Sequence, residues 1–553
     1  MKIKYIVLVL STCLFTFSAC DVNLLNIPQK GVEDESNYYI TDEDCESAIA
    51  AVYNSWREAF SGSGSGASFY ANGFFMKNFM ADDFNSGGVR SDQTYAQEFV
   101  ESCVTPTNGW VENYYKKLYS TVYLCNLVIE KFDSSESAIK ARDIAEAKFY
   151  RALCYFELTT LWGTPPLVDK VLKNSEEYMA ANSTQENLWK FIETDLKNAI
   201  ETGKLISKSS LDDKDSGTRA TLEAAETLLG KSYLFQQKYA EAKIEFGKVI
   251  SSGKYGLIDD IRGFYHAQCN GCKEYVLECV RHNDPSNMYK QGGWRGILAN
   301  WGFGYGFIAG PESSNYYNFN ITSGYGYFNP SKSLYDAFIS EEGANGYRLT
   351  NWIKTWNQVV AMNIAVNARV NKYGNEGYYR LKWLSSLEDE YVGYWCGNQS
   401  NTPVIRYADV LLMMAEACLQ TNDQEGADKY VKYVRDRAKL PVKSNVTLAD
   451  IKLERRLELS MEGLRFQDLK RWGDAATVLV DKGKKLPTFQ ITPDSNNDIS
   501  TTEGIYVAQY TTKVTYVDNE NNLAGWTSNR DEYLPFPENE LEVNTNLKQN
   551  VGY

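Results

Sequence analysis

The sequence predicts a mainly α-helical fold: a scaffold of tetratricopeptide-like helix pairs into which a loop-rich region of glycines and aromatic rings is inserted. Three observations support this prediction. Apolar residues recur at helical spacing in two blocks, from about residue 42 to 252 and from about 403 to 473. The region between the blocks is rich in glycine and aromatic residues. The tail after the second block is rich in Asn, Asp and Thr, which favours strands and turns.

The first twenty residues, MKIKYIVLVLSTCLFTFSAC, have the pattern of an export signal. Two lysines precede a short apolar stretch, residues 6–17, and Ser18 and Ala19 stand directly before Cys20. The stretch is too short for a convincing membrane span. Small residues that end in a cysteine resemble the lipobox of bacterial lipoproteins. We therefore expect residues 1–19 to be removed and Cys20 to carry the lipid anchor.

Charge and composition argue against two classes of function. The formal net charge is −14, and no block of Lys or Arg stands out after the first residues. Nucleic acid is therefore a poor candidate partner, since affinity for phosphates depends on clustered cations. The chain has two histidines, His266 and His282, so histidine-based acid–base or metal chemistry has little to draw on.

One segment, HAQCNGCKEYVLEC, contains His266, Cys269, Cys272 and Cys279. The spacing of the first three is tolerable for zinc, but a single CxxC in an exported protein is more often a local disulfide or two free thiols. We predict no metal site and no cofactor. Nine cysteines follow Cys20, an odd number, so complete pairing within the chain is ruled out.

The first helical block ends in a segment that fits the tetratricopeptide pattern, LLGKSYLFQQKYAEAKIEFGKVI. Leu229, Gly230, Tyr233, Ala242 and Phe246 occupy the characteristic offsets. In that pattern a small residue lets two helices approach and a ring fills the remaining gap. We therefore expect Gly230 at a close helix contact.

A looser match lies in the second block, in LLMMAEACLQTNDQEGADKYVKYVRDRAKLP. The equivalent positions are Met414, Ala415, Cys418, Ala427, Val431 and Val434. Further helix pairs are expected around residues 110–162 and 184–203, because an isolated pair cannot bury its apolar faces alone. The repeats predict a scaffold and do not themselves specify a function.

The region between the blocks contains an aromatic island, residues 289–328, with twelve aromatic residues and nine glycines in forty positions. Its stretch NWGFGYGF alternates rings with glycine and offers no charge for chemistry. An aromatic layer that caps a core is one interpretation, since large rings are usually buried. A ligand platform is the other.

Several longer strings together resemble the RagB/SusD family of outer-membrane nutrient-binding lipoproteins. The most telling is ERRLELSMEGLRFQDLKRWG, residues 454–473. AEAKFYRALCYFELTTLWGTPPLV, RYADVLLMMAEA and the C-terminal YLPFPENELEVNTNLKQNVGY resemble further family segments in the family's order. Thr545 and Val551 stand where family members often carry proline.

Within the first of these strings, charged residues also have a plain interpretation. Arginines at four positions are expected to be cations on a helix face, paired with the acidic residues three or four positions away. The arginines are Arg455, Arg456, Arg465 and Arg471, and the expected acidic partners are Glu458, Glu462 and Asp468.

The resemblance implies a lipoprotein that is anchored in the cell outer membrane and faces the cell surface. There it would lie over a SusC-like TonB-dependent transporter and capture oligo- or polysaccharide for import, without catalysis. The implied division of the chain is a signal peptide, 1–19, an N-terminal helical part, 20–260, an aromatic-rich ligand-binding region, 261–402, and a C-terminal part, 403–553.

Flat rings suit sugars because the C–H faces of a pyranose are apolar, while neighbouring polar groups can bond its hydroxyls. Two regions look comparable to the glycan site of family members: the loop after NFMADDF and the aromatic island. The predicted ligand-binding residues are Asn85, Arg90, Asp92, Trp294, Trp301, Tyr305, Tyr325 and Tyr327.

Two alternatives stay open at the level of sequence. Capture of peptide or protein fragments is one, because part of the same family resembles RagB and serves peptide uptake. A surface glycoside hydrolase is the other, and it would need two carboxylates that meet across a sugar. The sequence has no Gly-x-Ser-x-Gly, P-loop or HExxH motif, which favours binding without catalysis.

Overall fold

The computed structural model describes residues 38–61, 73–87, 94–264, 266–280, 308–309, 327–361, 364–365, 372–383, 400–493 and 510–553. Helices dominate these residues, which confirms the predicted fold class. The helices of the first block are α1 (Asp42–Ser61), α2 (Gly73–Phe79), α3 (Thr94–Val100), α4 (Gly109–Lys131), α5 (Ala138–Trp162), α6 (Gln185–Glu201), α7 (Leu222–Phe235) and α8 (Tyr239–Ser251).

The two longest helices, α4 and α5, pack against each other, as expected for residues 110–162. α4 begins where the side chain of Asn108 accepts hydrogen bonds from the backbone N–H groups of Trp110, at 3.0 Å, and Val111, at 3.2 Å. The prediction of a helix pair at 184–203 is wrong. That segment is the single helix α6, whose apolar face packs on α5 and α7, so neighbouring pairs supply its burial.

The first tetratricopeptide-like unit is the antiparallel pair α7 and α8, in the predicted register. A Cβ atom built on Gly230 would lie 2.7 Å from Cε1 of Phe246, closer than real Cβ atoms come to a neighbour. Ala242 and Phe246 are fully buried in the same interface. Gly230 therefore stands at the expected close contact between the helices.

The repeat unit of the second block is the pair α12 (Tyr407–Gln420) and α13 (Gln424–Arg437), and the six residues at its repeat positions are all buried. A Cβ on Gly426 would lie 2.7 Å from Sγ of Cys418, so a glycine again permits close approach. The block starts later than expected, because residues 402–406 form strand β9 and pair with β2 (Tyr275–Cys279). A short apolar run next to a helix does not by itself distinguish a strand from a helical turn.

Short elements fill the middle of the chain, the end of the second block and the tail. They are β1 (Phe84–Gly87), β3 (Ile308–Ala309), β4 (Tyr327–Pro330), α9 (Lys332–Glu342), α10 (Tyr347–Trp352), β5 (Ile353–Thr355), α11 (Trp356–Ala361), β6 (Ile364–Ala365), β7 (Lys372–Tyr373), β8 (Tyr378–Arg380), α14 (Leu448–Glu458), α15 (Arg465–Arg471), α16 (Ala475–Val478), β10 (Lys485–Pro493), β11 (Tyr510–Asp518) and α17 (Glu538–Val543). β10 pairs with β11 and β7, and β1 with β4, all antiparallel. The tail thus contains the expected strands.

The arginines of the segment 454–473 are largely withdrawn from solvent rather than spread along a solvated helix face, and Arg455 is fully buried. Arg455 donates to Asp409 on α12 at 2.8 Å and to Asp468 on α15 at 3.0 Å. Asp468 also accepts from Arg471, at 2.8 Å, so this expected partner is confirmed. The expectation for Glu458 is wrong, since it pairs instead with arginines from other elements, Arg348, Arg406 and Arg437. These buried pairs tie separate elements together.

Candidate ligand-binding site

Strand β1 lies beside β4, at the end of the aromatic island. The register sets Asn85 opposite Asn329 and Gly87 opposite Tyr327. The two regions that the sequence singled out therefore meet in one small sheet. Six of the predicted site residues, and the predicted lipidated Cys20, lie outside the described residues: Cys20, Arg90, Asp92, Trp294, Trp301, Tyr305 and Tyr325. For Tyr327 the structure describes the backbone alone.

Ion pairs fix the position of β1 from behind. Asp82 and Asp83 directly precede the strand, and Arg456 of α14 donates to both, at 2.9 and 2.8 Å. Arg465 of α15 adds a bond to Asp82 at 3.0 Å. Burial opposes the charged form of Asp82, but the two guanidinium groups keep the pKa of this carboxyl below its usual value. The 454–473 segment thus holds the strand that begins the candidate site.

An aromatic cluster completes the underside of the sheet. The Phe84 and Phe328 rings stack with centroids 4.3 Å apart, and Phe74, Phe75 and Phe79 surround Phe328. All five rings are buried. Phe328, the last residue of the aromatic island, is therefore a core residue. This agrees with the interpretation that the island caps a core.

On the outer side, Glu376 is the hub of the polar contacts. Its carboxylate accepts from Nδ2 of Asn85 at 3.1 Å, from the backbone N–H of Lys332 at 2.6 Å and from the Tyr516 hydroxyl at 2.5 Å. Lys332 opens helix α9, so the carboxylate lies at a helix N-terminus, where negative charge is stabilised. Asn85, Glu376 and Tyr516 come from three distant parts of the chain and meet here.

Tyrosine rings lie around this hub. Tyr335 and Tyr378 stack with centroids 4.3 Å apart and planes 25° apart, and both are half-buried. Loss of solvation raises the pKa of the Tyr378 hydroxyl to about 12, so it stays protonated and can donate a hydrogen bond. Tyr516 is 49% exposed. Half-exposed rings beside a fixed carboxylate and amide give a surface with both flat apolar faces and hydrogen-bonding groups.

Glycines let the backbone of residues 372–380 approach the sheet. A Cβ on Gly374 would lie 2.8 Å from the backbone nitrogen of Gly87, and one on Gly377 would lie 2.8 Å from Cε2 of Phe489 in β10. Both glycines have positive φ, 57° and 84°. The string YGNEGYYR, residues 373–380, has the same mixture of rings and glycine as the island. That signal was available in the sequence, and it marks the segment that contributes Glu376 and Tyr378.

The cysteine-rich segment is separate from this surface. Cys269, Cys272 and Cys279 are buried, and the thiol–thiol hydrogen bond with Cys269 together with burial raises the pKa of Cys272. Within the ranges the structure describes, no group of three or more His, Cys, Asp or Glu side chains has an arrangement that could hold a metal ion.

None of the helices in the described ranges combines the length and the apolar character that crossing a bilayer requires.

A scaffold of paired helices that supports a surface of short strands and rings places the chain among helical-repeat proteins. Within that class, two family models match: the SusD family over residues 294–553, and "Starch-binding associating with outer membrane" over residues 34–234. The chain belongs to the SusD family. The predicted resemblance is thereby confirmed.

Relatives and solved structures agree with this assignment. A SusD-like protein of Bacteroides ovatus is 26% identical over 506 residues, 85% of this chain and 83% of that protein. The structure described as "Laminarin binding SusD-like protein" is 25% identical, with a TM-score of 0.74, over 92% of this chain and 99% of that one. Surface glycan-binding protein A from Bacteroides thetaiotaomicron, in complex with laminarihexaose, is 22% identical with a TM-score of 0.69, over 92% of this chain and 100% of that one; this likeness concerns the fold alone.

Proposed function

We propose that this protein is a lipid-anchored glycan-binding protein of the cell surface that captures oligo- or polysaccharide and passes it to a SusC-like TonB-dependent transporter, without catalysis. The observation that carries the proposal is the convergence of Asn85, Glu376 and three tyrosines at the edge of the β1–β4 sheet. A structural relative of similar extent is described as laminarin-binding, which supports a glycan as the ligand.

The chemistry of this surface suits a sugar. Tyr516 offers a ring face to the apolar side of a pyranose, and Glu376 and Asn85 offer hydrogen-bonding groups at its edge. Asn85 and Glu376 already bond each other, so their orientation is set before a ligand arrives and less ordering entropy is lost on binding. Several such contacts along a polymer reinforce one another, since each later contact is intramolecular.

The predicted residues outside the described ranges extend this surface in the proposal. Arg90 and Asp92 follow β1 within a few residues, and Tyr325 precedes β4 by two positions. We expect alanine at Arg90, Asp92, Trp294, Trp301, Tyr305, Tyr325 or Tyr327 to weaken glycan binding. The same variants should melt close to the wild-type temperature if the rings form a platform and well below it if they form a core.

Affinity electrophoresis through gels that contain laminarin, starch, xylan or a host glycan tests the proposal, with a peptide-pool pulldown as the contrasting arm. We expect retardation in at least one polysaccharide, no peptide enrichment and no shortening of the glycan after long incubation. Retention of peptides with no retardation by any polysaccharide would contradict glycan capture. Shortening of the glycan would contradict the absence of catalysis.

The anchor and the transporter have their own tests. Cys20→Ala should leave the protein without lipid and release it from the outer membrane, which fractionation and mass spectrometry measure. Retention of the variant in the membrane would contradict lipid attachment at this residue. Co-purification of the wild type with a TonB-dependent transporter from its own membranes tests the delivery step.

A further inference from the structure

A cavity of about 620 Å³ lies between α4, the loop after α5 and the C-terminal segment around α17. Its volume is within the usual range of ligand pockets. It shares no lining residue with the surface around Glu376. One wall is a face of α4 with tyrosines at positions 115, 119 and 123, and the opposite wall includes Tyr178 and Glu540.

The three tyrosines of α4 form a row. Successive members are four residues apart, so the row runs for roughly 12 Å along the helix axis. Tyr115 is buried at the base, with its ring 4.8 Å from that of Tyr119, whereas Tyr123 is 48% exposed at the rim. Tyr178 is 61% exposed on the other side. The exposure of the rings therefore increases from the base of the cavity to its rim. Their apolar faces line a channel that is longer than one sugar ring.

Hydrogen bonds hold both walls in place. The Tyr119 hydroxyl donates to the carbonyl of Pro166 at 2.6 Å, and that of Tyr178 to the carbonyl of Leu172 at 3.3 Å. Asn544 joins the C-terminal segment to the loop through a bond from Nδ2 to the carbonyl of Ala180 at 2.7 Å. The cavity is therefore built by the fold and does not depend on a ligand to form.

The charges around the cavity favour a neutral ligand. Lys116 and Lys170 are paired with Glu112 and Glu177, at 2.5 and 2.7 Å. These lysines oppose a cationic ligand, and the Glu540 carboxylate opposes an anionic one. Burial raises the pKa of Glu540.

Two polar groups remain available to a ligand. In the part of the chain that the structure describes, the Glu540 carboxylate and the Tyr123 hydroxyl make no hydrogen bond. A carboxyl group accepts from, and a phenol donates to, the hydroxyls of a sugar. We propose that this cavity is a second binding site for a neutral oligosaccharide, with the rings of Tyr123 and Tyr178 stacked on its pyranose faces. The choice of a sugar rests on the proposed function.

Isothermal titration calorimetry with laminarihexaose and with maltohexaose tests the second site on the full mature chain. We expect two oligosaccharides per chain for the wild type. The double variant Tyr123→Ala/Tyr178→Ala should bind one. Tyr516→Ala should still bind two, with affinity about tenfold weaker at the surface around Glu376. Tyr433→Ala is the matched control, because Tyr433 is also an exposed helical tyrosine, 43% exposed, but does not line the cavity. It should still bind two.

The outcomes separate the two proposals. One oligosaccharide per chain in the wild type, with an unchanged titration for the double variant, would overturn the second site and leave the proposed function standing. Loss of a site in the double variant with unaltered Tyr516→Ala would support the cavity and contradict the surface around Glu376. No heat from either hexasaccharide overturns the second site, and the polysaccharide gels then decide the proposed function separately. Because both exchanged rings are largely exposed, thermal melting of the double variant should match that of the wild type.

Discussion

The two sides of β1 differ in the contacts that they make and in their exposure to solvent. Behind the strand, the α14–α15 segment contributes arginines that are largely withdrawn from solvent and bonded to carboxylates. Arg455 is fully buried between Asp409 and Asp468. Arg456 bonds both Asp82 and Asp83. In front, Glu376 and Tyr516 are partly exposed; Glu376 lies between the short strands β7 and β8, and Tyr516 lies on β11. A buried charge without its partner is costly, so the rear side tolerates little change. The front side can change its rings and polar groups at small cost to stability, which is where a binding protein gains its selectivity.

The largest expected effect comes from the rear side. Arg455→Met removes the cation shared by Asp409 and Asp468 and leaves two buried carboxylates without it. We expect a loss of about 3–5 kcal/mol in the free energy of unfolding, measured by urea denaturation. Arg262→Met, at an exposed pair with Asp260, should cost less than about 1 kcal/mol. Equal losses in the two variants would remove the contrast between buried and exposed pairs.

A second effect concerns Glu278 of β2, whose carboxylate accepts from Nδ2 of Asn401 at 2.8 Å. Burial raises the pKa of Glu278 from 4.5 to about 7. The folded state therefore holds this proton more tightly than the unfolded chain does, and stability falls as the pH rises from about 4.5 through about 7.

Comparison of the wild type with Glu278→Gln isolates that contribution. The variant stays neutral, so above pH 7 it should be more stable than the wild type by on the order of 3 kcal/mol, and below pH 5 the difference should vanish. Chemical denaturation at several pH values measures both curves. Glu520→Gln, at an exposed position, is the control and should follow the wild type. Parallel curves for the wild type and Glu278→Gln would contradict the raised pKa.

The contact between α7 and α8 gives a smaller effect. Gly230→Leu forces a side chain against Phe246, and overpacking of this kind costs about 1–3 kcal/mol. Gly247→Leu is the matched control on α8, because a Cβ there meets nothing within 4 Å among the described residues. It should not destabilise the protein, and the higher helix propensity of Leu should stabilise it by up to about 1 kcal/mol. Thermal melting of the pair decides whether the assigned repeat register is right.

The smallest effect on stability, and a clear one on binding, is expected on the front side. Tyr516→Ala removes an exposed ring and should weaken glycan binding about tenfold, or about 1.4 kcal/mol, with an unchanged melting temperature. Tyr516→Phe keeps the ring but removes the bond to Glu376. It should therefore retain more of the affinity if stacking dominates. Unaltered affinity in both variants would exclude this ring from the site.

Contacts within a helix pair could be predicted from the sequence more readily than contacts between distant segments. Gly230 and Phe246 were found because helix pairing leaves a local, periodic pattern. Asn85 and the island's end at Tyr327 were found through resemblance, and the register of β1 and β4 brings those segments together. Glu376 and Tyr516 were missed, since 291 residues separate Asn85 from Glu376 and no short-range spacing records such a contact. Strand β9 was missed because its apolar run continues into a helix.

The bonds from Arg456 and Arg465 to Asp82 and Asp83 join residues more than 370 positions apart. As the chain is synthesised, the N-terminal helices emerge first, and their local contacts form early. Strand β1, which follows Asp83, can gain these ion pairs only when the chain has been synthesised as far as α15. The bond from Tyr516 to Glu376, the carboxylate that Asn85 of the strand contacts, forms later still. The surface around Glu376 is accordingly among the last parts to mature, so a chain cut short before residue 454 would lack the bonds from Arg456, Arg465 and Tyr516 that hold this surface together.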